Sequence, residues 1–70
     1  MTEIIFMVEE DPQGGYSAAA VGEAIFTQAD SIEELHDMVR DAVKCHFDDG
    51  EETPSVIRLH FVRDEVIAAR

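Results

Sequence analysis

The sequence has little of what small proteins use for stability. Cys45 is the only cysteine among 70 residues, so no internal disulfide can form, and a lone cysteine fits a reducing cytoplasm better than secretion. A chain this short buries only about 60% of the surface that its unfolded form exposes. Without disulfides or metals, such domains usually gain stability by self-association. We therefore expect one cytoplasmic domain, residues 1–70, that forms a dimer or a higher homo-oligomer.

Positive charge is scarce. Five basic residues stand against sixteen acidic ones, the net charge is −11 at pH 7, and no Lys or Arg precedes Arg40. Proteins that bind DNA or RNA need Lys and Arg to displace the counterions of the phosphates. The composition thus argues against direct nucleic-acid binding, and a basic protein is the more plausible partner.

A long hydrophobic run is also missing. The first apolar run starts at Ile4 and ends after five residues at Glu9, and no basic segment precedes it. A signal peptide needs both features, and a membrane span needs about 20 apolar residues. We therefore expect neither a targeting segment nor a membrane partner.

Motifs for catalysis or metal binding are absent too. Cys45 and His46 are neighbours, and adjacent helix positions diverge by about 100°, so the two cannot easily share a zinc ion. The acidic run 48–52 lacks the alternate spacing of an EF-hand; we interpret it as a solvated loop, with calcium or a basic partner as the alternative. Gly14-Gly15 lacks the Lys and the helix start of a phosphate-binding loop. We expect no enzymatic activity, no catalytic residue, and no metal or cofactor site.

What the sequence does contain is a clear strand pattern. Residues 2–9 are apolar on both faces, as is typical of a central strand. The turn residues 10–15 lead into a second strand over 16–21, and Gly22-Glu23 lead into a third over 24–29. These elements predict an antiparallel three-strand meander.

A helix and a fourth strand follow. Ser31-Ile32-Glu33-Glu34 forms a capping box and predicts a helix that runs to about Asp48. Its apolar stripe comprises Ile32, Leu35, Val39, Ala42, Val43 and Phe47. Residues 56–63 alternate as a half-buried strand, and a right-handed crossover places them beside the first strand. We predict an α+β fold, β-β-β-α-β in strand order 3-2-1-4, with one helix on one face; whether Val66–Ala69 adds a fifth strand stays open.

A single helix leaves the other face of the sheet uncovered. An apolar face open to water indicates a partner; the alternative is a partly exposed face interrupted by Ser17, Arg58 and His60. The residues predicted to bind a partner or a second copy are Ile5, Met7, Ala19, Val21, Val62, Glu9, Glu10 and Asp11.

Several segments resemble the N-terminal domain of HicB-like antitoxins. They are Asp11, Gly14-Gly15-Tyr16, Phe26–Asp30, Ser31–Leu35, Ala42-Val43 and His46-Phe47, so the resemblance covers nearly the whole chain. It implies a partial RNase H-like fold of β-β-β-α-β order and a neutraliser of HicA, a small basic RNA-cleaving toxin. The chain departs from the family in two respects. Ala20-Val21-Gly22-Glu23 replaces the usual Pro-Asp-Leu-Pro-Gly turn, and we expect no DNA-binding segment after the last strand.

The leading hypothesis is a non-enzymatic HicB-like interaction domain that self-associates and sequesters a basic toxin by steric and electrostatic occlusion. The alternative is a small-molecule-sensing or orphan oligomeric domain whose dimer interface encloses a ligand. A hydrolase is a more distant third option. A thiamine-diphosphate enzyme subunit, such as that of 2-oxoisovalerate dehydrogenase, is not expected because 70 residues cannot form such a site.

Overall fold

A computed structural model describes residues 2–47 and 53–69 and contains four strands and one helix there. The elements are β1 (Glu3–Glu10), β2 (Tyr16–Ala20), β3 (Phe26–Ala29), α1 (Ile32–His46) and β4 (Val56–Val62). The four strands form one sheet in the order β3-β2-β1-β4. β1 pairs antiparallel with β2 and parallel with β4, and β2 pairs antiparallel with β3. The predicted α+β fold, element order and strand order are confirmed.

β1 is the central strand, and its burial alternates strictly. Ile4, Phe6 and Val8 are buried, whereas Ile5 and Met7 between them are exposed. Because successive side chains of a strand point to opposite faces, one face of β1 lies under the helix and the other faces solvent.

The hairpin between β1 and β2 depends on two glycines. Gly14 and Gly15 have φ angles of 105° and 88°, which side chains disfavour. A Cβ on Gly15 would also lie 3.0 Å from the carbonyl oxygen of Ala29. The turn therefore packs directly against the end of β3, where the helix is about to begin.

α1 begins at a side-chain cap. Ser31 Oγ accepts a hydrogen bond of 3.1 Å from the Glu34 amide, as the capping box predicts. The Glu34 carboxylate accepts from the amide of Asp30 at 3.0 Å, one residue before the cap. The first bond satisfies a backbone donor that a helix start leaves unpaired, and the second ties the residue before the cap to the first turn, so the boundary at residue 31 is well defined.

The core lies between the helix and one face of the sheet. Its buried apolar residues are Ile4, Phe6, Val8, Ala18, Ile25, Ala29, Leu35, Val39 and Val43. The predicted helix stripe is right for Leu35, Val39 and Val43 and wrong for Ile32, which is 41% exposed. Ile32 is the first helical residue and borders an open space that Tyr16 and Phe61 also line.

Some expected features differ or lie outside the described residues. β3 begins at Phe26, since Ile25 closes the preceding turn by accepting from the Ala20 amide at 2.9 Å. The acidic run 48–52 and the predicted helix end at Asp48 are outside the described residues. The segment 63–69 has no strand, so a fifth strand does not form within the described part of this chain. No helix in residues 2–47 or 53–69 is long and apolar enough to cross a membrane.

Candidate interaction surface

The sheet face away from the helix, which we call the open face, carries a row of side chains that crosses all four strands. Met7 lies opposite Ala19 on one side and His60 on the other, and Ala19 lies opposite Phe26. Next to this row, the amide of Val21 donates to the carbonyl of Ile5 at 2.8 Å. The register therefore brings together residues that are up to 53 positions apart in sequence.

The apolar centre of the open face is accessible. Ile5, Met7 and Val21 are 36%, 38% and 57% exposed. Ala19 is exposed as well, and Val62 is partly buried at the β4 end of the face. Of the residues predicted to bind a partner, the five apolar ones thus lie on one surface.

Phe26 is a member of this surface that the sequence reasoning missed. It is 63% exposed, the largest exposure of any aromatic residue in the described chain. The strand β3 buries Thr27 and Ala29 and exposes Phe26 and Gln28. Alternation along β3 alone does not show which of its sides meets the helix; the pairing of Phe26 with Ala19 places Phe26 on the open face.

The three acidic residues predicted beside this face do not act together. Glu9 lies on it, in the same alternation as Ile5 and Met7. Glu10 is the next residue along β1 and therefore points to the other face. Asp11 belongs to the turn, where its Oδ1 accepts from the Gln13 amide at 2.8 Å and its carbonyl accepts from the Gly14 amide at 2.9 Å.

An ion pair between Glu3 and Arg58 lies at the end of the open face that is farther from Glu9. Arg58 donates to both carboxylate oxygens of Glu3, through Nε at 3.2 Å and through Nη2 at 3.1 Å. These hydrogen bonds, and then the charge of the guanidinium, hold the pKa of Glu3 below its ordinary value. The same pair raises the pKa of Arg58. Arg58 therefore neutralises Glu3, whereas no ion pair is seen for Glu9 within residues 2–47 and 53–69.

The histidines and the cysteine do not converge. His46 Nε2 lies 3.1 Å from Glu23 Oε1, and its ring makes an edge contact with Phe47 at 5.0 Å. His46 is thus hydrogen-bonded, and Cys45 is exposed. Within residues 2–47 and 53–69, no group of three or more His, Cys, Asp or Glu side chains is arranged to hold a metal ion.

A second apolar surface lies on the helix side, along β4. The helix packs over β2 and β3, which leaves a groove of about 440 Å³ beside β4. Its floor is formed by Ile57, Leu59 and Phe61, and its rim includes His36 and Arg40 of the helix. Phe61 is 49% exposed. This groove is open at the edge of the sheet rather than enclosed.

These surfaces favour recognition by contact. The open face offers aliphatic, thioether and aromatic groups with few titratable neighbours, and the two glycines near it form a turn. Exposed apolar patches of this kind are typical of protein interaction sites. The apolar groups of the open face can exclude water from a partner surface, and its charged residues and His60 can add polar contacts.

The comparisons with known proteins give the family. A curated protein of Thermotoga maritima, named UPF0150 protein, is 47% identical over 66 residues, which cover 94% of this chain and 91% of the relative. A UPF0150 protein of Archaeoglobus fulgidus is 60% identical over 48 residues, which cover 69% of this chain and 71% of the relative. No family model and no solved structure matches. Neither relative is named as an antitoxin, and their shared name states no ligand or activity. The chain belongs to the UPF0150 family.

Proposed function

We propose that this protein is a non-enzymatic, cytoplasmic interaction domain whose open face binds a small basic protein. The observation that carries the proposal is the exposed apolar centre of that face, formed by Ile5, Met7, Val21 and Phe26. Water contact with these groups is unfavourable by roughly 25 cal/mol per Å² of apolar surface. A partner that covers them removes this surface from water, and the part of the gain that exceeds the cost of association becomes affinity.

The charge of the domain supports a basic partner. The net charge is −11, and a field of this size attracts cations and repels nucleic acid. Complementary charge mainly raises the rate of association and sets the orientation of the partner. The apolar centre would supply affinity, and Glu9 together with the net negative charge of the domain would select a basic partner over an acidic one.

The resemblance to HicB-like antitoxins supports a particular partner class. A toxin that cleaves RNA must bind phosphates and is therefore basic, and an acidic domain that covers its RNA-binding surface inhibits it by occlusion. In this proposal the domain contributes no catalytic residue. It acts only by occupying the surface that the RNA would otherwise contact.

The test starts from the short open reading frames on either side of the gene. Each product that is basic is expressed, and its cleavage of a fluorescent single-stranded RNA is measured with and without this protein. We expect one product to cleave RNA and to be inhibited at a one-to-one ratio. The double variant Met7→Thr with Phe26→Thr should inhibit at least tenfold less strongly.

A matched control separates the open face from the rest of the surface. Met38 on the helix is 41% exposed, close to the 38% of Met7, so Met38→Thr makes the same chemical change elsewhere and should inhibit like the wild type. Equal inhibition by the open-face and the Met38 variants would exclude this face. Inactivity of every flanking basic product towards RNA would exclude the antitoxin role.

A further inference from the structure

The last described residues form an arm that contacts little of the domain. Residues 63–69 follow β4 and are all exposed. Val66 and Ile67 are 92% and 82% exposed, the highest values among the large hydrophobic residues of the described chain. The radius of gyration is 14.0 Å, compared with about 11 Å for a compact chain of this length. Two adjacent apolar side chains therefore project into water from a segment that the fold does not cover.

The arm continues a strand that is itself at an edge. β4 pairs with β1 on one side only, and its last pair is Val62 with Glu9. No strand of the described residues lies against its outer edge. Unpaired amides and carbonyls at a sheet edge are a template for another strand. The outer edge of β4, the groove floor at Phe61 and the arm therefore form one continuous surface. It combines unpaired backbone groups with exposed apolar side chains.

Residues 61–67 match a second copy of themselves in the antiparallel direction, because apolar residues then lie opposite apolar ones and Arg63 lies opposite Glu65. Around Asp64 it reads Phe-Val-Arg, then Asp, then Glu-Val-Ile. If a second copy runs antiparallel with Asp64 opposite Asp64, then Arg63 lies opposite Glu65, Val62 opposite Val66, and Phe61 opposite Ile67. Val66 and Ile67 of the arm then each meet an apolar residue of β4, and Arg63 meets Glu65. Asp64 opposite Asp64 is the one pair of like charges, and Ala68 lies opposite His60.

We propose that a second copy of this chain pairs with β4 and the arm in this register, with the two-fold axis at Asp64. Residues 59–62 of each copy bind residues 66–69 of the other, so that the two sheets join into one. The inference concerns the edge of the sheet and does not rest on the proposed function of the open face.

The sheet faces on which the opposed residues lie support this register. Opposed residues of an antiparallel pair share a face, and Phe61 belongs to the helix side together with Leu59. In the proposed register Ile67 and Ala69 of the second copy cover the β4 groove on that side, while Val66 extends the open face beside Val62. A shift by one residue places Val62 opposite Glu65 and exchanges the faces. The dimer therefore has both helices on one side and both open faces on the other.

Cysteine cross-linking tests the register directly. Cys45 is first replaced by Ser, and single cysteines are introduced by Asp64→Cys, Arg63→Cys or Glu65→Cys. Opposed residues in an antiparallel pair have Cα atoms about 4.5–5.5 Å apart, within the range of a disulfide. With oxidised glutathione, Asp64→Cys should give a covalent dimer. Arg63→Cys and Glu65→Cys should not do so alone, because their copies lie about 8 Å apart, whereas a mixture of the two should.

Charge exchange tests the same pairing without a covalent bond. Sedimentation or light scattering of the full chain gives the dimer dissociation constant. Arg63→Glu and Glu65→Arg should each weaken the dimer, and the double variant should restore it. Asp64→Asn should tighten it by up to about fivefold, since like charges directly opposite each other are unfavourable. Val66→Asp should dissociate the dimer, and Met38→Asp, on the helix, should not.

Several results would overturn the proposal. A wild-type chain that stays monomeric at high micromolar concentration would do so. A dimer that Val66→Asp and the charge variants leave unchanged would show that copies meet elsewhere, such as on the open face. Cross-linking of Arg63→Cys alone would place the axis one residue away. A monomeric chain or a shifted axis would leave the proposed binding of a basic protein to the open face untouched, whereas a dimer that forms through the open face would compete with that binding.

Discussion

On β1, Phe6 and Val8 are fully buried under the helix, whereas their neighbours Ile5 and Met7 are 36% and 38% exposed. The four residues are similar in hydrophobicity, so composition does not explain the difference. The cause is the number of layers, because one helix can cover only one face of a four-stranded sheet. The same strand thus supplies both the centre of the core and the centre of a surface that no element of the described chain covers.

Removing a large side chain from the covered face should have the largest effect. Phe6→Ala leaves a cavity where the side chain is completely buried, and such changes cost about 3–5 kcal/mol. Domains of this size rarely have a larger net stability than roughly 3–5 kcal/mol. We expect the variant to be mostly unfolded at 25 °C by circular dichroism.

The matched change on the open face is Met7→Thr. Since Met7 is already in contact with solvent, the free energy of unfolding in urea should fall by less than about 1 kcal/mol. If Met7→Thr unfolded the protein as fully as Phe6→Ala, the two faces would be equivalent in the folded chain, and the contrast between them would be wrong.

An effect smaller than that of Phe6→Ala is expected at the start of the helix. Ser31→Ala removes the acceptor of the Glu34 amide, and the loss of such a cap costs about 1 kcal/mol. The urea midpoint should fall accordingly. Ser17 lies on β2, and no side-chain hydrogen bond is seen for it within the described residues; Ser17→Ala is the control and should change stability by no more than about 0.5 kcal/mol. Equal effects of the two variants would mean that the cap does not set the helix start.

The smallest effect concerns the ion pair at the end of the open face. The hydrogen bonds from Arg58 lower the pKa of Glu3, so ionised Glu3 stabilises the fold at neutral pH, and this contribution is lost as the pH falls through the lowered pKa. Glu3→Gln should therefore be slightly less stable than the wild type at neutral pH and equal to it in strong acid. In an Arg58→Gln background the substitution should have no such pH-dependent effect. A difference that persisted in acid would contradict this assignment.

Much of this fold follows from the sequence for identifiable reasons. The two apolar faces of residues 2–9 require a central strand, and Ser31 with Glu34 fixes the helix start. Both features are local, so they can be predicted without knowledge of tertiary contacts. The strand order follows from one crossover connection, because the helix has to return the chain beside β1.

The parts that sequence reasoning missed depend on register. Ile25 and Phe26 are adjacent apolar residues at the boundary between a turn and β3, and only the pairing of Phe26 with Ala19 decides which one faces solvent. One acidic run in the sequence comprises Glu9, Glu10 and Asp11. Strand alternation places Glu9 and Glu10 on opposite faces of the sheet, and Asp11 lies in the turn. The position of the helix over β2 and β3, which leaves the β4 groove open, likewise depends on packing that no local pattern encodes.

The central claim is that the open face serves recognition and the covered face serves stability. The most direct measurement is a calorimetric titration of the basic product encoded beside the gene into wild type, the Met7→Thr and Phe26→Thr double variant, and Met38→Thr. We predict that the double variant binds at least tenfold more weakly while wild type and Met38→Thr bind equally. Equal affinity of all three proteins, or no binding by the wild type, would contradict the claim.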